Sequence, residues 1–220
     1  MPMIVFMVER ARRAARLDQV VVITSVDASD DPLAHVLEDH GVDVFRGDLD
    51  DVLARYARAA EAYRAQAVVR LTGDCPLVDP LVVDQVVETL IQSDADYASN
   101  VDPPTYADGF DVEAFTVEAL NKADRNAREL PEREHVTLWM RSEGSGLTRQ
   151  CRPGLVDSSH LRLTVDYPDD LEVVRSLVEK LGPYADQYDI LRCLDSNRGL
   201  LEVNRHARNE GLAASLSAAV

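Results

Sequence analysis

Short apolar runs alternate with amphipathic segments through the first half of the chain. The apolar runs are rich in β-branched residues, which is typical of parallel strands buried on both faces. They predict strands over residues 20–24, 42–45, 67–71 and 95–99. Apolar positions at helical spacing predict helices over residues 3–16, 32–40, 48–64 and 80–93. This alternation predicts an α/β fold, with a mostly parallel sheet and helices on both faces.

The second half is less regular, because breakers such as Pro103, Pro104 and Gly109 interrupt it. Its patterns predict an edge strand over 111–115, helices over 117–127 and 131–141, a strand over 161–165 and a helix over 169–181. We find no internal repeat and no linker of low complexity. The simplest organisation is therefore a single domain over residues 1–220, in which residues 196–220 form a C-terminal helical tail.

Composition narrows the class of protein. Hydrophobic residues make up 46% of the 220 residues, enough for a sizeable core. The formal net charge of −16 argues against nucleic-acid binding, because such a surface repels phosphate backbones. It does not argue against a nucleotide substrate, since a bound Mg²⁺ inverts the local charge.

The cysteines and the first residues of the chain indicate the cellular compartment of the protein. Cys75, Cys151 and Cys193 are three widely spaced cysteines without a CxxC pair, so a disulfide framework and a zinc site are both disfavoured. The apolar stretch 1–8 is too short to span a bilayer, and the charges that follow it do not fit a secretory signal. We predict a cytoplasmic protein that does not bind membranes.

Thr72, Gly73 and Asp74 directly follow the predicted strand 67–71. Ligands of parallel sheets bind beyond the carboxyl ends of the strands, and a glycine there lets the backbone approach a phosphate closely. The structural alternative is an ordinary turn in which Asp74 only shapes the chain before the next helix. Position alone does not decide between the two.

Asp166 stands in the same relation to the predicted strand 161–165. Two aspartates at strand ends converge on one cation if their strands are neighbours. Mg²⁺ is commonly held by one or two carboxylates, with phosphates and water as its other ligands. The alternative for Asp166 is a cap of the helix that follows it.

Two further groups of residues are candidates for ligand contacts. Arg46 is a cation at the predicted sheet edge, beside Gly47, whereas the acids from Asp48 onward fit helix capping equally well. Acidic and apolar residues alternate from Asp108 to Glu113, which indicates either a solvated edge strand or acceptors for the vicinal hydroxyls of a sugar.

Histidine and serine motifs of known hydrolases are absent from the sequence. His135 follows Glu134 and could serve as an acid or base, although a lone histidine is more often structural. The chain has no HExxH, GxSxG or GxxxxGK[ST] sequence, which disfavours zinc hydrolases, serine hydrolases and P-loop enzymes.

Several segments together resemble the spore coat polysaccharide biosynthesis protein F family, which belongs to the cytidylyltransferase-like group. The match is carried in order by Phe45-Arg46-Gly47 with Asp51-Val52-Leu53, by residues 70–80 (RLTGDCPLVDP), 97–100 (YASN), 108–113 (DGFDVE), 133–137 (REHVT) and 161–166 (LRLTVD), and by the tail segments 204–206 and 209–211. The resemblance covers nearly the whole chain, and the order of the segments makes it far more specific than any single one.

The resemblance implies a Rossmann-like fold of the nucleotide-diphospho-sugar transferase type, related to the Kdo and acylneuraminate cytidylyltransferases. It implies transfer of CMP from CTP to a sugar or sugar acid, with release of pyrophosphate, in surface polysaccharide biosynthesis. Mg²⁺ would be held by Asp74 and Asp166, which are the implied catalytic residues. The implied nucleotide-binding residues are Arg46, Gly47, Asp51, Arg70, Thr72 and Gly73. The implied acceptor-binding residues are Asn100, Asp108, Asp111, Glu113, Glu134 and His135.

One part of the family pattern has no counterpart in the printed sequence. The family begins with a strand and a basic, glycine-rich loop that grips the triphosphate, and Met1 aligns just after that loop. We therefore expect poor turnover of CTP or none. We also expect a homodimer, because a missing central strand leaves an open edge. The alternatives are a catalytically silent homologue that binds a nucleotide or a partner, and a metal-dependent glycosyltransferase on the same fold.

Overall fold

The computed structural model describes residues 1–202 of the chain. Its first half contains α1 (Met3–Ala11), β1 (Val21–Ser25), α2 (Asp31–Asp39), β2 (Asp43–Gly47), α3 (Val52–Ala62), β3 (Ala67–Arg70), α4 (Pro80–Ser93) and β4 (Tyr97–Ser99). Its second half contains β5 (Glu113–Thr116), α5 (Val117–Asn126), α6 (Leu130–Glu134), α7 (Leu138–Arg141), β6 (Arg149–Cys151), α8 (Pro168–Leu181) and α9 (Gln187–Ser196). The predicted tail helix lies mostly outside the described residues. No helix within residues 1–202 has the length and apolar character needed to cross a membrane.

The strands form two sheets. β1 and β2 make a parallel pair, and the other sheet has the order β3-β5-β4-β6. β5 is antiparallel to both of its neighbours, whereas β4 and β6 are parallel, so β3, β4 and β6 all run in one direction. In this register Arg70, Glu113, Ser99 and Cys151 are aligned across the sheet. The carboxyl ends of β3, β4 and β6 therefore share one edge with the amino end of β5.

Helices cover both faces of the larger sheet, as the sequence predicts. Neighbouring residues of a strand point to opposite faces, and on β5 Ala114 and Phe115 contribute to two different apolar clusters. The cluster of Ala114 includes residues of α1, α4, α8 and α9. The cluster of Phe115 includes residues of α3, α5 and α7. The α/β fold with helices on both faces is confirmed.

A buried arginine fixes the segment that follows β3. Arg10 on α1 is 1% exposed and donates hydrogen bonds to the carbonyls of Leu77 and Val78, at 3.2 and 3.0 Å. It also donates to Pro183 and Ala185, at 2.6 and 2.9 Å. Burial lowers the pKa of Arg10, while the charge of Asp79 opposes this. The guanidinium thus ties α1, the loop before α4 and the segment before α9 together.

Several predicted elements need correction. Residues 111–115 were predicted as an edge strand, but β5 lies in the middle of its sheet, between β3 and β4. Residues 161–165 form no strand; Arg162 makes only an isolated bridge to Asp108. The predicted helix 131–141 is two short helices, because Val136 between them has a φ of 55°. α1 ends at Ala11 and α3 begins only at Val52. β6 and α9 were not predicted.

Candidate functional site

The segments that carry Asp74 and Asp166 lie side by side. The backbone N–H of Val165 donates to the carbonyl of Asp74 at 2.8 Å, which places Asp166 next to the loop that follows β3. Both sequence-predicted metal ligands thus stand at the edge where the carboxyl ends of the strands meet. The convergence occurs although residues 161–165 are not a strand.

Asp108 is held at the same edge by the backbone of residues 161–163. Its N–H donates to the carbonyl of Leu161 at 2.9 Å, and its carbonyl accepts from Leu163 at 2.6 Å. Gly109 has a φ of 111°, and a Cβ there would lie 2.8 Å from the carbonyl carbon of Leu163. Only glycine permits this close approach. We call Asp74, Asp108, Asp111 and Asp166, together with Arg162, the carboxylate edge.

The pKa of the buried Cys75 thiol is shifted by the carboxylates around it. Burial raises the pKa of the Cys75 thiol well above its usual range, and the charges of Asp74, Asp111 and Asp108 raise it further, whereas the hydrogen bond with Thr72 lowers it. Three members of the carboxylate edge therefore lie close enough to act on one buried sulfur. A thiol in this environment stays protonated and is not a nucleophile at neutral pH.

Arg162 is a site residue that the sequence reasoning did not single out. Its side chain is 9% exposed and forms ion pairs with Asp108 and Asp170, at 3.4 and 3.3 Å, and with Asp166. Burial opposes its charge, but the hydrogen bonds with Asp166 and Asp170 raise the pKa of Arg162. The sequence signal that could have identified Arg162 is its charge, since it lies between Leu161 and Leu163 in a segment that alternates polar with apolar residues.

A second, buried group of charges lies at the same end of the sheet. Glu113 accepts from Arg70 at 2.5 Å, from the hydroxyl of Tyr97 at 2.6 Å and from that of Thr137 at 2.7 Å. Burial raises the pKa of Glu113, but the charges of Arg70 and Arg141 and these hydroxyl donors lower it below its usual value. The carboxylate is therefore ionised. We call Arg70, Tyr97, Glu113 and Thr137 the Glu113 cluster.

His135 stands beside the Glu113 cluster, at a strained point of the backbone. Its Nε2 is buried and has no hydrogen-bond partner within the described residues, and Glu134 lies 3.8 Å away. Burial lowers the pKa of His135; Glu134 opposes this, and Arg70 and Arg141 add to it. The neutral ring can accept or donate one proton. The positive φ of the β-branched Val136 is a conformation that persists only where surroundings enforce it, as at binding sites.

The predicted nucleotide contacts near β2 already have intramolecular partners. Arg46 donates to the carbonyl of Ser25 at 2.7 Å and pairs with Asp31 at 2.7 Å. Asp51 caps α3 and forms a 2.7 Å ion pair with Arg133. Gly47 lies so close to Arg55 that a Cβ would be 2.9 Å from its Cγ. These residues shape the turns after β1 and β2.

Asn100 is fully buried and links two segments of the site. Its amide donates to the carbonyl of Phe110 at 2.7 Å, and its side-chain oxygen accepts from the N–H of Val112 at 2.8 Å. It fixes the start of β5, on which Glu113 lies, and so orients the site from within.

The donor set of the carboxylate edge fits a hard cation in part. Within residues 1–202, no group of three or more His, Cys, Asp or Glu side chains is arranged to hold a metal. Mg²⁺ needs only one or two carboxylates when substrate phosphates and water complete its octahedron. Asp74 and Asp166 are carboxylates on adjacent segments, so the type and number of these donors fit this smaller requirement.

Comparisons with known proteins show which family this chain resembles in sequence. A family model described as cytidylyltransferase matches residues 1–186. The spore coat polysaccharide biosynthesis protein SpsF of Bacillus subtilis is 32% identical over 187 residues, which cover 82% of this chain and 77% of that protein.

Solved structures share the fold. A cytidylyltransferase from Leptospira borgpetersenii superposes with a TM-score of 0.88 at 30% identity, over 94% of this chain and 89% of that one. A CMP-2-keto-3-deoxy-manno-octonic acid synthetase complexed with CTP gives a TM-score of 0.62 at 17% identity, over 81% and 88% of the two chains. The Rossmann-like nucleotidyltransferase fold predicted from the sequence is confirmed.

Proposed function

The chain belongs to the cytidylyltransferase family, and we propose that it transfers CMP from CTP to a hydroxyl of a sugar or sugar acid, releasing pyrophosphate, for surface polysaccharide biosynthesis. Its family and fold make it a nucleotidyltransferase. The acceptor class is supported by the similarity to a spore coat polysaccharide biosynthesis protein.

The observation that supports the proposal most directly is the contact between the loop after β3 and residues 161–166. The backbone hydrogen bond from Val165 to Asp74 joins two segments that lie far apart in the sequence, and each segment carries one of the two carboxylates. In this proposal Asp74 and Asp166 hold Mg²⁺. The ion would neutralise charge that develops on the phosphates during transfer.

The remaining predicted residues divide between the two substrates. Thr72 and Gly73 border the phosphates, and Arg46, Gly47 and Asp51 shape the turns near the base. Asp108 and Asp111 face the acceptor from the carboxylate edge. We assign His135 to the acceptor, with Glu113, Asn100 and Glu134 supporting that side. Arg70, which the resemblance assigns to the nucleotide, is ion-paired with Glu113 and supports the acceptor side in this proposal.

The reaction these residues serve is an in-line displacement. The acceptor hydroxyl attacks the α-phosphorus of CTP, the new O–P bond forms, and the bond to the pyrophosphate oxygen breaks. The hydroxyl proton leaves to solvent or to a basic group at the acceptor side. Positioning and charge stabilisation therefore account for most of the expected catalysis.

Pyrophosphate release tests the proposal. CTP, UTP, ATP and GTP would each be incubated with Mg²⁺ and a panel of sugar acids and neutral sugars. We expect release with CTP and at least one acceptor, and a loss of about 100-fold or more in kcat in Asp74→Asn. Release that is equal in Asp74→Asn would remove Asp74 from the mechanism.

Other outcomes identify the competing functions. Calorimetric binding of CTP without release under any condition would indicate a silent nucleotide-binding homologue. Turnover of a nucleotide sugar, but not of CTP, would indicate a glycosyltransferase. Sedimentation at several protein concentrations tests the proposed homodimer.

A further inference from the structure

Arg162 lies among three carboxylates that differ in their exposure. Asp170 is 0% and Asp108 7% exposed at the side chain, whereas Asp166 is 50% exposed. Two of the three ion pairs are therefore buried in the protein, and the third faces solvent. If the ion pair with Asp166 opened, the guanidinium would still keep two anionic partners.

The main chain at Asp166 is fixed independently of Arg162. The N–H groups of Asp166 and Tyr167 donate to one oxygen of Asp170, at 2.9 and 3.0 Å. Asp170 also accepts a hydrogen bond from Arg162 at 3.3 Å, so its carboxylate holds both the guanidinium and the main chain before α8. The carboxylate of Asp166 can therefore change partner while its backbone stays in place.

We propose that Arg162 is a positioning residue that acts as a built-in counter-cation for Asp166. It holds this carboxylate while no divalent cation is bound, and Asp166 exchanges it for the cation when the site is loaded. The proposal rests on the metal role given to Asp166 in the proposed function. It goes further by assigning Arg162 a defined effect on cation affinity.

The sign of that effect follows from electrostatics. A cation that binds Asp166 has to break the ion pair with Arg162 and then remains close to the positive guanidinium. Both costs weaken binding. The benefit is that the guanidinium offsets part of the negative charge of the edge when no cation is bound, which reduces the repulsion among its carboxylates. Arg162 therefore lowers the affinity of the site for divalent cations.

Binding of Mn²⁺ to the metal-free protein, measured by electron paramagnetic resonance of free Mn²⁺, tests this without activity. We expect Arg162→Met to bind Mn²⁺ about fivefold more tightly than the natural protein, because the competing charge is gone. Arg162→Lys keeps the charge and should change the affinity less than Arg162→Met does. Asp166→Asn should weaken binding about tenfold.

A second pair of variants covers the case in which Arg162→Met does not fold because Asp108 and Asp170 lose their counter-ion. Asp108→Asn/Arg162→Met removes one acid with the cation, and Asp108→Asn alone is its matched control. The double variant should bind Mn²⁺ more tightly than the control. Equal or weaker binding in this pair, or in a folded Arg162→Met, overturns the inference.

The failure of the inference can be told apart from the failure of the metal site. If Asp166→Asn binds Mn²⁺ as the natural protein does, the proposed metal role of Asp166 is wrong, and the role of Arg162 falls with it. If Asp166→Asn weakens binding but removal of Arg162 does not strengthen it, only the counter-cation role is wrong.

Discussion

The carboxylate edge and the Glu113 cluster are two sets of charges at the same end of one sheet. They differ in how exposed their carboxylates are and in whether each carboxylate has partners of its own. Glu113 accepts three hydrogen bonds from Arg70, Tyr97 and Thr137 and is almost fully buried. Asp166 is half exposed and shares Arg162 with two other acids. A saturated buried carboxylate stabilises the fold, whereas an exposed one that can change partner is suited to bind a ligand.

The largest effect on stability should come from removing the carboxylate of the Glu113 cluster. Glu113→Ala leaves the charge of Arg70 buried without its partner and removes the acceptor of two hydroxyls. We expect a loss of about 3–5 kcal/mol in the free energy of unfolding, measured by urea denaturation.

Two variants control for this result. Glu113→Gln keeps an acceptor for the hydroxyls and should lose less stability than Glu113→Ala. Asp74→Asn should change stability by less than about 0.5 kcal/mol, since a partly exposed loop carboxylate adds little to the fold. If Glu113→Ala and Asp74→Asn lower the free energy of unfolding equally, the two regions do not differ in their contribution to stability.

Gly109→Ala tests the backbone that holds Asp108 to residues 161–163. The added Cβ would meet Leu163 at 2.8 Å, and the φ of 111° is one that side chains rarely adopt. We expect destabilisation of about 2 kcal/mol or more, together with reduced activity, because the carboxylate edge loses its geometry.

Gly144→Ala is the matched control for this variant. No atom lies within 4 Å of a Cβ built on Gly144. Its effect on unfolding should stay within about 0.5 kcal/mol. A Gly109→Ala variant as stable as Gly144→Ala would show that Asp108 and Leu163 can separate at little cost.

The parts of the fold that the sequence predicts well are those fixed by local pattern. α4 spans Pro80–Ser93, as its capping residue, its proline and its apolar spacing predict. β1 and β3 follow their β-branched runs to within a residue or two. Asp74 is a candidate because a carboxylate directly after such a strand stands at the edge of the sheet where ligands bind, and its metal role stays a prediction.

The parts that the sequence misses depend on contacts between distant residues. The position of β5 in the centre of the sheet is decided by pairing with β3 and β4, which the alternation in residues 111–115 does not reveal. The same alternation in residues 161–165 gives no strand, because its N–H groups bond to the loops at Asp74 and Asp108. Arg162 was overlooked since its three partners become neighbours only after folding.

The smallest effect we expect is a dependence of stability on pH that comes from His135, beside the Glu113 cluster. Burial and the charges of Arg70 and Arg141 lower the pKa of His135, so the unfolded chain binds a proton that the folded one does not. Stability from this group is therefore complete above the unfolded pKa and is lost as the pH falls through the folded one. Urea unfolding between about pH 7.5 and 5.5 should show a decline that is shallower in His135→Gln. His40, which is exposed directly after α2, provides the control. If His40→Gln flattens the decline as much, the acid sensitivity does not come from His135.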